Sequence, residues 1–189
     1  NLRVTTSKAG RNYLIAVLCD GMSSAKYSDY GARRTSHLLA LGIAAAIEDN
    51  EIISDQIIES VLPDVFKYCK DNLIPQKRNQ YGAPSVLIRD AVESDFNTTV
   101  TFLIIPTDTK SEEKVEMIIG SIGDSAVFVL DNSTGSWSES AKLELNSEIL
   151  NPATSAFPAT FEARVSTVSV ETSDLVIATS DGVGNFISV

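Results

Sequence analysis

Tyr13-Leu14-Ile15-Ala16-Val17-Leu18-Cys19-Asp20-Gly21 carries more structural information than any other stretch of this sequence. Tyr13–Leu18 is a short apolar run without polar alternation. A run of that length, stopped at once by turn residues, reads as a buried strand. Cys19-Asp20-Gly21 is the expected turn. Downstream the period changes. Ser28 or Asp29 offers an N-cap for a helix to about Glu48, with Leu38, Leu39, Ile43 and Ile47 on one face. Ala44-Ala45-Ala46 allows that helix to pack closely. A second helix is expected from near Ser54, because Ile57, Ile58, Val61, Leu62, Val65, Phe66 and Cys69 keep helical spacing. Pro63 inside that run predicts a kink.

Ile74 to Asn97 holds Pro75, Gly82 and Pro84 and fits neither period. Beyond it, strand patterns dominate. Thr98–Ile105 is rich in β-branched residues and stops at Pro106. Val115–Ile122 and Ala126–Leu130 flank Gly123-Asp124-Ser125, and Asp131–Gly135 reads as a turn. Arg164–Val170 alternates, and Leu175–Ala178 is a buried run ending in Thr179-Ser180-Asp181-Gly182. Helices placed early, between one strand and a later series of strands, predict an α+β fold with antiparallel sheet.

The chain has 189 residues, which suits one domain with a sizeable core. Asp and Glu number 25 against 15 Lys and Arg, so the net charge is −10. A chain this acidic lacks the basic face that nucleic acid requires, and it favours cations or basic partners. The two cysteines, Cys19 and Cys69, form no C-x-x-C pair, which excludes zinc-ribbon and thioredoxin-like sites. Unpaired thiols in apolar surroundings point to a reducing compartment, and a cytoplasmic location is the expectation. The one histidine, His37, excludes any site with several histidines and argues against a Ser-His-Asp centre. It is expected to pack or cap within the first helix. Cys19 is expected to be buried, and Trp137 to cover a core edge. No apolar run approaches the ~18 residues of a membrane span. The first residues do not form a signal peptide and there is no initiator Met, so a processed or partial chain is expected.

Three apolar strands run into an aspartate: Asp20, Asp124 and Asp181, each with a glycine beside it. Glycine permits a sharp turn and lets a backbone carbonyl approach a ligand. Carboxylate, carbonyl and water are the ligands of a hard cation such as Mg²⁺ or Mn²⁺. Converged carboxylates repel one another unless a cation neutralises them. Two such ions ~3.5–4 Å apart activate water for phosphate hydrolysis. Asp-Gly is also a very common turn, so each motif alone favours a turn over a metal site.

The order of the motifs narrows this. Ala16-Val17-Leu18-Cys19-Asp20-Gly21-Met22 resembles the first metal motif of the metal-dependent protein phosphatases, the protein phosphatase 2C family. Asn97-Thr98-Thr99 resembles that family's small-Thr-Thr start of a strand. Gly123-Asp124-Ser125 resembles its Gly-Asp-Ser motif, and Ser180-Asp181-Gly182 its later Ser-Asp-Gly motif. The resemblance implies two packed antiparallel sheets flanked by helices on both outer faces. It implies hydrolysis of phosphoserine or phosphothreonine by a metal-activated water, with two core Mn²⁺ or Mg²⁺ ions, a weaker third, and a phosphorylated protein as partner. By position, Asp20 matches the carboxylate that bridges the core metals, Gly21 the residue lending its carbonyl, and Asp181 another core ligand. Asp124 matches a ligand of the third metal. Met22 matches many bacterial members.

The departures are specific. Ser23-Ser24 stands where many members have Gly-Gly, and Asn185 stands where an Asp is frequent. The family's phosphate-binding Arg and an acidic ligand lie upstream of the first strand; Arg3 is not assigned that role, and no catalytic or substrate-binding residue is named. The family's last metal-binding Asp has no counterpart before Val189. The expectation is therefore a single phosphatase-like domain over residues 1–189, without its extreme N-terminal and C-terminal segments. Two other readings stay open: a weak or inactive regulatory module on the same scaffold, and an unrelated Mg²⁺-dependent phosphohydrolase with a parallel sheet.

Overall fold

A computed structural model of the chain describes residues 1–73, 91–108, 114–141 and 155–180. The elements are β1 (Leu2–Thr6), β2 (Asn12–Gly21), α1 (Ser28–Asp49), α2 (Asp55–Leu73), a 3-10 turn (Glu93–Phe96), β3 (Thr98–Pro106), β4 (Lys114–Ile122), β5 (Ala126–Asp131), β6 (Ser136–Ala141), β7 (Arg164–Glu171) and β8 (Leu175–Thr179). One sheet has the order β1-β2-β3-β4-β7 and the other β6-β5-β8. Every pairing is antiparallel. This is the expected α+β architecture, and it removes the parallel-sheet reading.

β2 lies inside the larger sheet, and both its faces are covered, which is why Tyr13–Leu18 carries no polar alternation. Tyr13, Ile15 and Val17 pack with Val100, Phe102 and Ile104 of β3 beneath the helices. α1 contributes Leu38, Leu39, Ile43 and Ile47 to this core, and α2 contributes Ile58, Leu62, Phe66 and Cys69. Ala16 stands on the opposite face of β2 and joins a second core between the sheets, built from Leu103, Met117, Ile119, Val127 and Val129. Both described helices thus cover the outer face of the five-stranded sheet.

Several local expectations change. The strand of residues 13–18 runs on through Cys19 and Asp20 to Gly21, because β3 continues to pair with it there. α1 begins at Ser28 with Tyr27 at the cap position and no side-chain cap bond. α2 begins at Asp55, beside Ser54 as expected, and Ser54 Oγ accepts from the Ile57 N–H at 3.3 Å. α2 runs from Asp55 to Leu73 through Pro63, which sits on its exposed side. His37 is exposed instead of packed, and Trp137 lies half-buried in β6. Among the described residues, no helix is long and apolar enough to cross a membrane.

Candidate functional site at one end of the sandwich

Antiparallel register brings the ends of β2 and β4 and the start of β3 together. Asp20 pairs with Thr99 and Gly21 with Thr98, while Ile122 pairs with Val100. The Met22 N–H donates to the Asn97 carbonyl at 3.0 Å, and Thr98 exchanges two backbone bonds with Phe157 at 2.9 and 3.0 Å. Hydrogen-bonded and non-bonded pairs alternate along an antiparallel ladder, so Gly21–Thr98 is a non-bonded pair. The Gly21 carbonyl therefore points away from β3. The Asp20 carbonyl points toward it and accepts the Thr98 hydroxyl at 2.7 Å.

Side-chain alternation places the half-buried Asp20 carboxylate on the face of β2 that looks into the gap between the sheets, the face of Ala16. That gap changes character along its length. It is filled by Leu103, Met117 and Val127 in the middle. Toward Asp20 it meets the hydroxyls of Thr101, Ser121, Thr99 and Ser125, all buried. Buried hydroxyls replace hydrocarbon only where they find partners or a ligand. Thr99 Oγ1 lies 2.9 Å from Ser125 Oγ. Thr101 Oγ1, Asn97 Oδ1 and Thr179 Oγ1 have no partner among the described residues.

The glycines are fixed by space. A Cβ on Gly21 would lie 2.7 Å from the Ser28 carbonyl carbon, carbonyl oxygen and Cβ, so the end of β2 touches the first residue of α1. Gly123 has φ of 103°, and a Cβ there would meet Thr99 Cγ2 at 2.7 Å and the Ser155 carbonyl oxygen at 2.9 Å. Asp124, exposed, follows it. Asp20 and Gly21 also line a cleft of about 330 Å³ whose other wall is α1, with Ser28, Asp29, Ala32 and Arg33. Arg33 Nε donates to Asp29 at 3.0 Å, and Arg34 Nε donates to the Asn72 carbonyl at 3.4 Å. Burial pushes the Cys19 thiol up to about 12, which removes it as a nucleophile near neutral pH.

Of the expected site residues, Asp20, Gly21 and Asp124 reach the same end of the fold. Asp181 and Asn185 lie outside the described residues; β8 pairs Thr179 with Ala126, two residues past Asp124. Among the described residues no three His, Cys, Asp or Glu side chains gather as a metal group. The donors present fit a hard cation in kind, since the Asp20 carboxylate, the Gly21 carbonyl and the orphaned Asn97 oxygen are all oxygen ligands. Sequence reading noted Thr98-Thr99 and Ser125 only as motif letters. The signal was there in three threonines, Thr98, Thr99 and Thr101, opening an otherwise apolar strand.

The family model for protein phosphatase 2C matches residues 3–188. No curated protein matches the chain. Among solved structures, a bacterial serine phosphatase bearing a point mutation aligns with 14% identity and a TM-score of 0.53, over 100% of this chain and 71% of that one. The serine/threonine phosphatase of S. agalactiae aligns with 12% identity and a TM-score of 0.53, over 100% and 75%. The two antiparallel sheets, the Asp20-Gly21 strand end and the family match agree: the chain belongs to the protein phosphatase 2C family and carries its protein phosphatase domain.

Proposed function

We propose that this domain is a Mn²⁺- or Mg²⁺-dependent phosphatase of bacterial type that hydrolyses phosphoserine and phosphothreonine in a protein partner. The observation that carries this reading is the strand-end placement of Asp20 and Gly21 beside Thr98-Thr99 and Gly123-Asp124-Ser125, in a chain of this family. Asp20, the Gly21 carbonyl and Asp181 would hold the core ions, with Asp124 at a weaker third position. When bound, such ions supply charge stabilisation at the phosphoryl group and an activated water. The chain's own part is to orient: Thr98 fixes the Asp20 carbonyl, and Gly21 lets β2 meet α1 closely. Mutual repulsion of the carboxylates makes the cation part of the folded state.

The test is phosphate release from a phosphopeptide and an aryl phosphate with and without added Mn²⁺, in the wild type and in Asp20→Ala and Asp181→Ala. Turnover that needs Mn²⁺ and is lost in both variants is expected. Turnover indifferent to the metal, or to both substitutions, refutes the proposal. The alternative is a weak or inactive regulatory module, favoured by Asn185 in place of a carboxylate. Calorimetric titration with Mn²⁺ separates the two readings, because tight binding at two sites excludes the second.

A further inference from the structure

Thr99 and Ser125 are 26 residues apart, and their hydroxyls meet at 2.9 Å in a buried position. Thr99 is 6% exposed and Ser125 4%. Thr99 Oγ1 also lies 3.4 Å from the Asp20 carbonyl oxygen. A hydroxyl has one proton to give. The order that satisfies both contacts is Ser125 donating to Thr99 and Thr99 donating to the Asp20 carbonyl. A chain of that kind polarises along its length and gains from a dry environment. A few residues further into the same gap, Leu103 and Met117 fill equivalent depth with hydrocarbon, so packing alone does not call for hydroxyls here.

We propose that Thr99 and Ser125 are positioning residues that set Asp124 against Asp20. This rests on the metal-dependent reading above and deepens it. The geometry has the features a positioning link needs. Ser125 adjoins Asp124 in sequence, and Thr99 pairs with Asp20 in register. Between them, Gly123 packs its α-carbon onto the Thr99 side chain so closely that no Cβ fits. The Gly-Asp-Ser turn is thereby held against β3 at two points, one steric and one hydrogen-bonded. Neither hydroxyl touches a reacting group; each acts through the backbone of the carboxylate it locates.

The experiment is calorimetric titration of the full chain with Mn²⁺, in the wild type, Thr99→Val, Thr99→Ser, Ser125→Ala and the Thr99→Val/Ser125→Ala pair, each with a urea unfolding curve. Loss of an outer partner of a metal ligand weakens affinity about tenfold or more. Thr99→Val and Ser125→Ala should each do so at the weaker, Asp124-linked ion, Thr99→Ser should keep wild-type affinity there, and the double variant should be no worse than either single one. Unchanged Mn²⁺ affinity in folded Ser125→Ala or Thr99→Val, with only the unfolding midpoint lowered, overturns the inference and leaves a structural bond. A wild-type chain that binds no Mn²⁺ overturns the metal-dependent reading and this one with it. Should Thr99→Val fail to fold, Ser125→Ala and Thr99→Ser carry the same comparison.

Discussion

Gly21→Ala tests how tightly the candidate site is built into the fold. The added Cβ would sit 2.7 Å from three atoms of Ser28, two of them backbone. Ordinary contact begins near 3.4 Å, so Ser28 must retreat by about 0.7 Å. It cannot swing aside like a side-chain tip, because it is the first residue of α1, and α1 is anchored through Leu38, Leu39, Ile43 and Ile47. Overpacking of this kind costs about 1–3 kcal/mol. For a chain of this size that corresponds to a melting temperature lower by between about 2 and 12 °C. Gly21 is not in the left-handed region, so the loss is steric and not conformational. Gly10→Ala supplies the contrast: φ is +81° there and nothing lies within 4 Å, so its cost is conformational alone. Adding Ser28→Gly to Gly21→Ala removes the Cβ clash and leaves the two backbone ones, so recovery should be partial. Calorimetric melting and urea unfolding of the wild type and these three variants measure the effect. Stability of Gly21→Ala within about 0.5 kcal/mol of wild type would refute the reasoning.

Gly120 lies under the ring of Phe102, and a Cβ there would come 2.0 Å from Cζ, so Gly120→Ala should lose about 1–3 kcal/mol in urea unfolding and Phe102→Leu should restore part of it. Burial pushes both Cys19 and Cys69 up to about 12 from 9.0, so at pH 8 a thiol reagent should react slowly with Cys19, which is half-buried and not fully buried as expected, more slowly still with buried Cys69, and readily with both in urea. The folded state holds protons that the unfolded chain releases, so stability should fall as pH rises from about 9 toward 12. Hydrogen bonds from the Ser133 hydroxyl first, then Thr134, lower the exposed Asp131 carboxyl to about 2. The β5–β6 turn it ties should therefore hold at pH above 3.8 and loosen as pH falls through about 2, read as the carboxyl titration by NMR.

Legibility followed burial. Tyr13–Leu18 and Thr98–Ile105 were plain because both faces of β2 and β3 are covered, which leaves largely unbroken apolar runs. β1 and β6 gave no such signal. Leu2 and Val4 of β1 are exposed, and Ser136, Trp137, Ser138 and Glu139 of β6 mix polar and aromatic residues along an edge. The turn residues misled in one place. Cys19-Asp20-Gly21 has turn composition, yet β3 pairs with it throughout, because Thr98 and Thr99 hold it in the ladder. The aspartates were legible as chemistry through the glycines beside them. The hydroxyls linking them were not, because a Thr-Ser contact 26 residues apart leaves no local pattern.

Asp20 and Asp124 share one end of the sandwich but differ in what surrounds them, and that difference predicts different thermodynamics. Asp20 is half-buried in the gap between the sheets, whereas Asp124 is exposed on a turn after β4. A cation that binds only the folded chain raises its stability by about 2.7 kcal/mol at one hundred times its dissociation constant. That is a rise in melting temperature of roughly 5–11 °C for a chain of this length. Desolvated carboxylates hold a cation more strongly than exposed ones, since water screens the latter. Asp20→Asn should therefore abolish most of the Mn²⁺-induced rise, and Asp124→Asn should keep most of it. Scanning calorimetry of the three proteins, each in chelator and in excess Mn²⁺, decides the matter. Equal rises in wild type and Asp20→Asn would remove Asp20 from the cation site, whatever the family match implies.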